Sequence, residues 1–244
     1  MRVEDMKAVV LWSGGIDSTT LVHRLLNDGM EVFPINFDYG QTHRREIQLS
    51  RKFIQPTFYR NSLLHDTVTA MISVPLKSAL TSPDEVELPK GLYDQANQKV
   101  TVVPNRNMMF LSLAAAYAIS IGAGYIAYGA HFSDRATYPD CRPEFVESCE
   151  KTIQVGNYEK VKIFAPFLDM RKTDIIAYGL ATGLDYSMTW SCYAGGRTPC
   201  LSCGTCTERT EAFFENNTKD PALSPKKWKE ALRIYKRYLE EKKP

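Results

Sequence analysis

Short apolar runs alternate with stretches of helical spacing through the first half of the chain. Ala8-Val9-Val10-Leu11 reads as a buried strand, and Leu21, Val22, Leu25 and Leu26 then recur along one helix face until Asn27-Asp28-Gly29 stops them. Val32 to Phe37 predicts a second strand in spite of Pro34, and a polar helix follows from Thr42 to about Phe53. Thr57-Phe58-Tyr59 predicts a third, short strand. From Ser73 to Val103 no period holds. Pro75, Pro83, Pro89 and Gly91 punctuate a long loop or insertion, of the kind that serves as a lid. Order returns at Asn107, where Met108, Leu111, Ala115 and Ala118 mark a helix that Gly122 and Gly124 end. Tyr125 to Gly129 is a fourth strand, Pro143 to Val155 a helix with proline in its first turn, and Val161 to Phe164 a fifth strand. Thr173 to Thr182 is a helix closed by Gly183. A capped terminal helix from Ser224 to Lys243 carries Trp228, Ala231, Leu232, Tyr235 and Leu239 in one stripe. This alternation predicts an α/β fold, a Rossmann-like parallel sheet covered on both faces.

Composition narrows the class without naming a function. A chain of 244 residues, 44% hydrophobic, can bury a sizeable core without staples. The net charge of +2 implies no global attraction to nucleic acid. No apolar run reaches membrane-spanning length and no leader is visible, so the expected location is cytoplasmic. Six cysteines in such a chain do not read as a disulfide framework. None precedes Cys141, and four crowd between Cys192 and Cys206.

Candidate chemistry gathers where strands end, which is where open parallel sheets bind ligands. The string Trp12-Ser13-Gly14-Gly15-Ile16-Asp17-Ser18-Thr19 joins the first strand to the first helix. Glycines there allow a tight turn with N–H groups facing one concavity, and the helix start adds unpaired donors, which suits a phosphate. Asp17 repels phosphate, so it calls for a reason such as capping the helix or holding Mg²⁺. Asp38-Tyr39-Gly40-Gln41 follows the second strand, Arg106 opens a helix, and Tyr138-Pro139-Asp140-Cys141-Arg142 follows the fourth strand. Cys192, Cys200, Cys203 and Cys206 form C-x7-C-x2-C-x2-C among glycines. Four thiolates so spaced can close a tetrahedron around Zn²⁺ at ~2.3 Å each, leaving no open position, so the metal would be structural; an iron–sulfur cluster is the rival.

The glycine string resembles the S-G-G-x-D-S signature of the PP-loop ATP pyrophosphatases. In order along the chain, further strings resemble the 7-cyano-7-deazaguanine (preQ0) synthases of that superfamily. They are Phe37-Asp38-Tyr39-Gly40-Gln41, Val103-Pro104-Asn105-Arg106-Asn107, Tyr138-Pro139-Asp140-Cys141-Arg142-Pro143-Glu144-Phe145 and Thr189-Trp190-Ser191-Cys192-Tyr193 with the three later cysteines. Thr137 and Ala136 depart from the glycine and serine usual in the family, and His131-Phe132 from its small or polar pair. The resemblance implies a PP-loop ATP-binding domain over residues 1–185, with a zinc-binding loop and terminal helix over 186–244 packed on it.

The resemblance also implies an activity: ATP-dependent conversion of 7-carboxy-7-deazaguanine and ammonia to the nitrile through adenylated acid and amide. Trp12 to Thr19 would bind ATP, with Asp17 acting through Mg²⁺. Arg106 or Arg142 would anchor the substrate carboxylate, and Asp140 joins Asp17, Arg106 and Arg142 among the catalytic candidates. Tyr39, Gln41, Tyr138 and Asp140 would meet the purine-like base, and the four cysteines would hold structural zinc. A homodimer and no stable nucleic-acid partner are expected. Two rival readings are an amide-forming sister enzyme and a PP-loop tRNA-modifying enzyme; a third, a zinc-stapled nucleic-acid module, sits poorly with an intact Ser13 to Ser18. Cys141 is a tempting nucleophile, but ammonia needs no covalent carrier.

Overall fold

The computed structural model describes residues 6–53, 63–93 and 96–242. Five parallel strands form one sheet in the order β3-β2-β1-β4-β5. They are β1 (Lys7–Leu11), β2 (Glu31–Asp38), β3 (Val68–Met71), β4 (Tyr125–Ala127) and β5 (Lys162–Phe164). Among the described residues the α-helices are α1 (Ile16–Asn27), α2 (Arg45–Phe53), α3 (Arg106–Ser120), α4 (Pro143–Gly156), α5 (Lys172–Ala181), α6 (Gly204–Glu215) and α7 (Pro225–Glu241). The chain builds outward from β1 through β2 to β3, then crosses back to lay β4 on the other side of β1. That reversal opens a crevice beyond the carboxyl ends of β1 and β4.

Residues of β1 divide by parity between two cores. Val9 and Leu11 face α3 and α4, packing with Leu111, Ala115, Ile126 and Cys149. Ala8 and Val10 face α1 and α5, with Leu21, Leu25, Ile175 and Ile176. Ala212 and Phe213 of α6 and Trp228 of α7 join this second core. A strand buried on both faces explains its unbroken apolar run.

Pro34 sits inside β2, opposite Val10. The strand tolerates it because of where its missing N–H points. Val32 bonds toward Leu63 and His65, whereas Ile35 bonds toward Trp12 of the β1 side. By alternation Pro34 faces the β3 side, between the Val32–Leu64 bridge and the start of the β2–β3 ladder at Ile35 and Val68. No ladder donor is lost there. The expected strand at Thr57 to Tyr59 lies outside the described residues; the strand on this edge is Val68–Met71, which the sequence pattern does not mark.

Two further expectations change. Among its described residues, the stretch from Ser73 to Val103 has little regular structure apart from a 3₁₀ turn at Ala96–Thr101, but it is no loose insertion. Leu80, Leu92 and Tyr93 are buried, and Gly91 N–H donates to Ser202 O at 3.0 Å. The cysteine segment is not only a loop, because α6 starts directly after Cys203. In α7, Ser224 caps the first turn by accepting from Lys227 N–H; Trp228, Ala231 and Tyr235 of its stripe are buried, while Leu239 is exposed. Among the described residues no helix is long and apolar enough to cross a membrane.

Candidate active site and thiolate cluster

Beyond the ends of β1, β2 and β4 lies a cavity of about 200 Å³. Its floor is the turn from β1 into α1. Gly14 holds φ +86°, in the left-handed region that favours glycine, and a Cβ on it would lie 2.5 Å from the Glu46 carbonyl oxygen. The loop is therefore packed flush against the first turn of α2. Ser13 N–H donates to Ser18 Oγ at 3.2 Å, and the Ser13 and Ser18 hydroxyls lie 3.1 Å apart. Both serines, Trp12 and Asp17 border the cavity. Trp12 Nε1–H donates to Thr19 Oγ1, and Ile16 enters the second core, so these two loop residues shape the cradle from behind. A glycine turn, two hydroxyls and a helix start suit a polyphosphate.

Asp17 is held by groups the sequence does not mark as a set. Lys172 Nζ, at the start of α5, lies 3.2 Å from Asp17 Oδ2 and 2.6 Å from Glu208 Oε2 of α6. His131 Nε2 lies 3.6 Å from Asp17 and 3.3 Å from Asp134, which also accepts from Tyr93 Oη at 2.6 Å. Burial pushes the Asp17 carboxyl up, but the Lys172 ammonium and His131 outweigh it and hold the group below its ordinary value. Burial works against the Lys172 charge as well, and Asp17, Glu208 and Asp134 reverse it, so Lys172 keeps its proton. Asp17 Oδ1 is buried with no hydrogen-bond partner, which leaves one carboxylate oxygen free for a cation. A lysine at a helix N-terminus opposes the macrodipole, so its place there answers to Asp17 and Glu208 rather than to helix stability.

The cavity is also lined by Tyr39, Arg106, His43, Glu46 and Tyr193. Arg106 donates to Tyr39 Oη at 3.4 Å and its guanidinium lies 6.0 Å from the Tyr138 ring. No carboxylate stands within ion-pair distance of it among the described residues. A half-buried guanidinium without an anion is a ready anion site. Other sequence candidates stand back from the cavity. Gln41 closes its own turn, accepting from Tyr39 N–H and donating to Phe37 O, both at 2.9 Å. Tyr138 bonds Thr101 Oγ1 of the 3₁₀ turn at 2.6 Å, and Asp140 Oδ2 accepts from Asn107 N–H of α3 at 3.4 Å while its Oδ1 is buried without a hydrogen-bond partner among the described residues. Arg142 Nε donates to Arg135 O at 3.1 Å and does not border the cavity. Cys141 does border it, but burial pushes its thiol well up, which suits packing beside Tyr128 better than nucleophilic attack.

The four C-terminal cysteines converge. Their sulfurs lie within 4.8 Å of one another, and the Cys200 and Cys206 sulfurs are 3.9 Å apart. Cys200 N–H donates to Cys192 Sγ and Cys203 N–H to Cys200 Sγ, both at 3.3 Å, which stabilises thiolate. A tetrahedral metal with ~2.3 Å bonds needs sulfurs about this close, so the donor set fits one ion with no open position. The cluster is tied to the sheet domain by the Lys90–Cys203 bridge and to the phosphate loop by Trp190 N–H donating to Gly14 O at 3.0 Å.

A glycine phosphate turn at the switch point of a parallel sheet, with a thiolate cluster behind it, defines a nucleotide-binding α/β protein of the PP-loop type. Residues 7–217 match the model of the family described as queuosine biosynthesis protein QueC, and the chain belongs to that family. It is 48% identical over 236 residues to the 7-cyano-7-deazaguanine synthase of Archaeoglobus fulgidus, covering 94% of this chain and 95% of that protein. To the synthase of Caldicellulosiruptor bescii it is 48% identical over 217 residues, covering 88% and 96%. To synthase 1 of Colwellia psychrerythraea it is 47% identical over 215 residues, covering 88% and 97%.

Removing the Lys172 ammonium leaves two carboxylates facing each other without a cation. Lys172→Met is expected to cost ~3–5 kcal/mol, seen as a lower urea midpoint at unchanged m-value. An unshifted midpoint would show that the Asp17–Lys172–Glu208 link carries no stability.

Proposed function

We propose that this chain is a 7-cyano-7-deazaguanine synthase, which joins 7-carboxy-7-deazaguanine and ammonia at the expense of two ATP. One observation supports the reading: a single cavity is lined both by Ser13, Asp17 and Ser18 of the glycine turn and by the Arg106 guanidinium. A carboxylate is a poor electrophile because it would have to expel oxide. Its oxygen attacks the α-phosphorus of ATP, pyrophosphate leaves, and an acyl adenylate results. Ammonia then displaces AMP to give the amide. The amide oxygen attacks a second ATP, and loss of AMP with the remaining N–H protons gives the nitrile. The chain's work is positioning and charge stabilisation. Backbone N–H groups of Gly14 and Gly15, with the Ser13 and Ser18 hydroxyls, receive the leaving pyrophosphate. Arg106 holds the substrate carboxylate, and Tyr39 lines the wall against which the heterocycle lies. Tyr138, Gln41 and Asp140 fix the elements that carry these groups, and Arg142 steadies the turn before α4.

Asp17 would hold Mg²⁺ through its free Oδ1, and the ion neutralises phosphate charge when bound. Cys192, Cys200, Cys203 and Cys206 would hold Zn²⁺, whose role is to fix α6 and with it Glu208 and Lys172. A cytoplasmic homodimer that takes free ammonia completes the reading. The departures at Ala136 and Thr137 keep one alternative in view, a sister enzyme that stops at the amide.

Incubation with ATP, Mg²⁺, ammonium and 7-carboxy-7-deazaguanine, read by mass spectrometry, is expected to give the nitrile and two AMP per turnover. The amide alone would assign the sister activity, and intact substrate would refute both. Asp17→Asn should lower turnover by roughly 10²-fold or more, and should lower the melting temperature less than Lys172→Met does because Glu208 still holds the ammonium. Metal analysis of the purified chain is expected to return one zinc. Cys203→Ser should lose it and melt earlier, and iron with acid-labile sulfide in place of zinc would overturn the assignment.

A further inference from the structure

Two titratable side chains border the cavity without a task in the reaction described above. His43 and Glu46 stand where the chain leaves the turn after β2 and enters α2. His43 Nε2 lies 3.4 Å from Glu46 Oε1, and their side chains are only 4% and 13% exposed. Their position is fixed from two sides. The Glu46 carbonyl meets Gly14 of the phosphate loop, and the His43 ring packs 5.3 Å from the Tyr193 ring. The charged and titratable groups acting on Glu46 are His43 beside it, Arg106 from α3 and Tyr39 from the turn after β2. One end of the cavity thus combines a cation for a developing oxyanion with a carboxyl that can take a proton.

The activity proposed above needs such an acceptor, and the inference rests on that reading. The nitrogen enters as ammonia and ends in a nitrile, so every N–H bond must break. We propose that Glu46 is the general base for amine and amide nitrogen, positioned by His43 beside it. In the last step the N–H proton moves to the Glu46 carboxylate, and the electron pair of that bond becomes the third carbon–nitrogen bond. The C–O bond to AMP breaks, and AMP leaves with its electron pair. Water takes the proton from Glu46 after each transfer, so the same carboxylate can accept the protons of the amine and then those of the amide.

The electrostatics agree with the geometry. Burial pushes the Glu46 carboxyl up to about 8, and Arg106 only partly opposes it. A base with affinity for protons near the working pH is the efficient one. Burial, with Arg106 adding to it, holds His43 down at about 3. Its imidazole is therefore neutral, with Nε2 3.4 Å from the Glu46 carboxyl and Nδ1 buried without a hydrogen-bond partner among the described residues.

Supplying 7-amido-7-deazaguanine with ATP and Mg²⁺ isolates the nitrile-forming half. Wild-type kcat/KM is expected to rise with pH through a limb near 8, and Glu46→Gln should lose at least ~10²-fold and the limb with it. Glu46→Asp, which keeps a carboxylate, should retain the limb at reduced rate. Pyrophosphate release from the carboxylate substrate in the absence of ammonia, which needs no base, should persist in both variants. A merely structural role predicts equal loss in that assay and no change in profile, and would overturn the assignment. So would a wild-type profile without the limb, or nitrile formation by Glu46→Gln at the wild-type rate. Folding gives a second readout. The folded carboxyl stays protonated up to about 8 while the unfolded one ionises near 4.5, so stability declines as pH rises between these values. Glu46→Gln removes that decline and should melt above wild type at pH 8. If wild type makes no nitrile from either substrate, the proposed activity itself fails; if wild type makes it and only these contrasts fail, the base assignment alone falls.

Discussion

Lys172 is the point on which the molecule turns. One ammonium, buried at the start of α5, bonds Asp17 of the phosphate loop and Glu208 of the helix that issues from the cysteine cluster. Burying a charge is tolerable only when partners restore what water supplied, and here the partners come from opposite ends of the chain. The contact makes the thiolate cluster and the phosphate cradle one mechanical unit. It also explains why a cluster with no open ligand position belongs in a chain of this kind. A metal held there would set the height of α6; α6 carries Glu208, and Glu208 and Asp17 together fix the cation between them.

Much of this was legible in the residues, for reasons that can be stated. Strand β1 reads as a strand because both faces are buried, and the turn after it reads as an anion site because glycine, hydroxyl and helix start coincide. The four cysteines declare themselves by spacing. Other features were hidden by the nature of the signal. Val68–Met71 is a four-residue edge strand, half exposed, with neither a long apolar run nor strict alternation. Helix α6 has little amphipathic contrast because almost all of it is buried, including Thr205, Thr207, Glu208 and Arg209. Periodicity reports a boundary between water and core, and a helix with no wet face has none.

The same limit applies to the site. Ser13, Asp17, Ser18, Tyr39 and Arg106 border the cavity as single-residue chemistry leads one to expect. Gln41, Tyr138 and Arg142 have equally suggestive chemistry, yet they bond backbone and neighbouring elements and do not border the cavity. Chemistry type alone does not tell a group that faces a ligand from one that holds the wall in place. Lys172, His43 and Glu46 fail the opposite way: each looks like an ordinary polar residue at a helix start, and only the tertiary pairing gives it meaning.

The pairing of Lys90 with Cys203, with Gly91 beside it bonded to Ser202, joins segments over a hundred residues apart in sequence. Contacts of such separation carry a large loop-closure cost and form after the local ones that shorten the loop. During synthesis the sheet strands and α1 to α5 emerge before any of the four cysteines. The second core, which needs Phe213 and Trp228, therefore stays open at one face until the last part of the chain arrives. Were the cluster to take a metal, capture would come after the sheet is built, and a chain lacking it would carry an apolar flank without its cover.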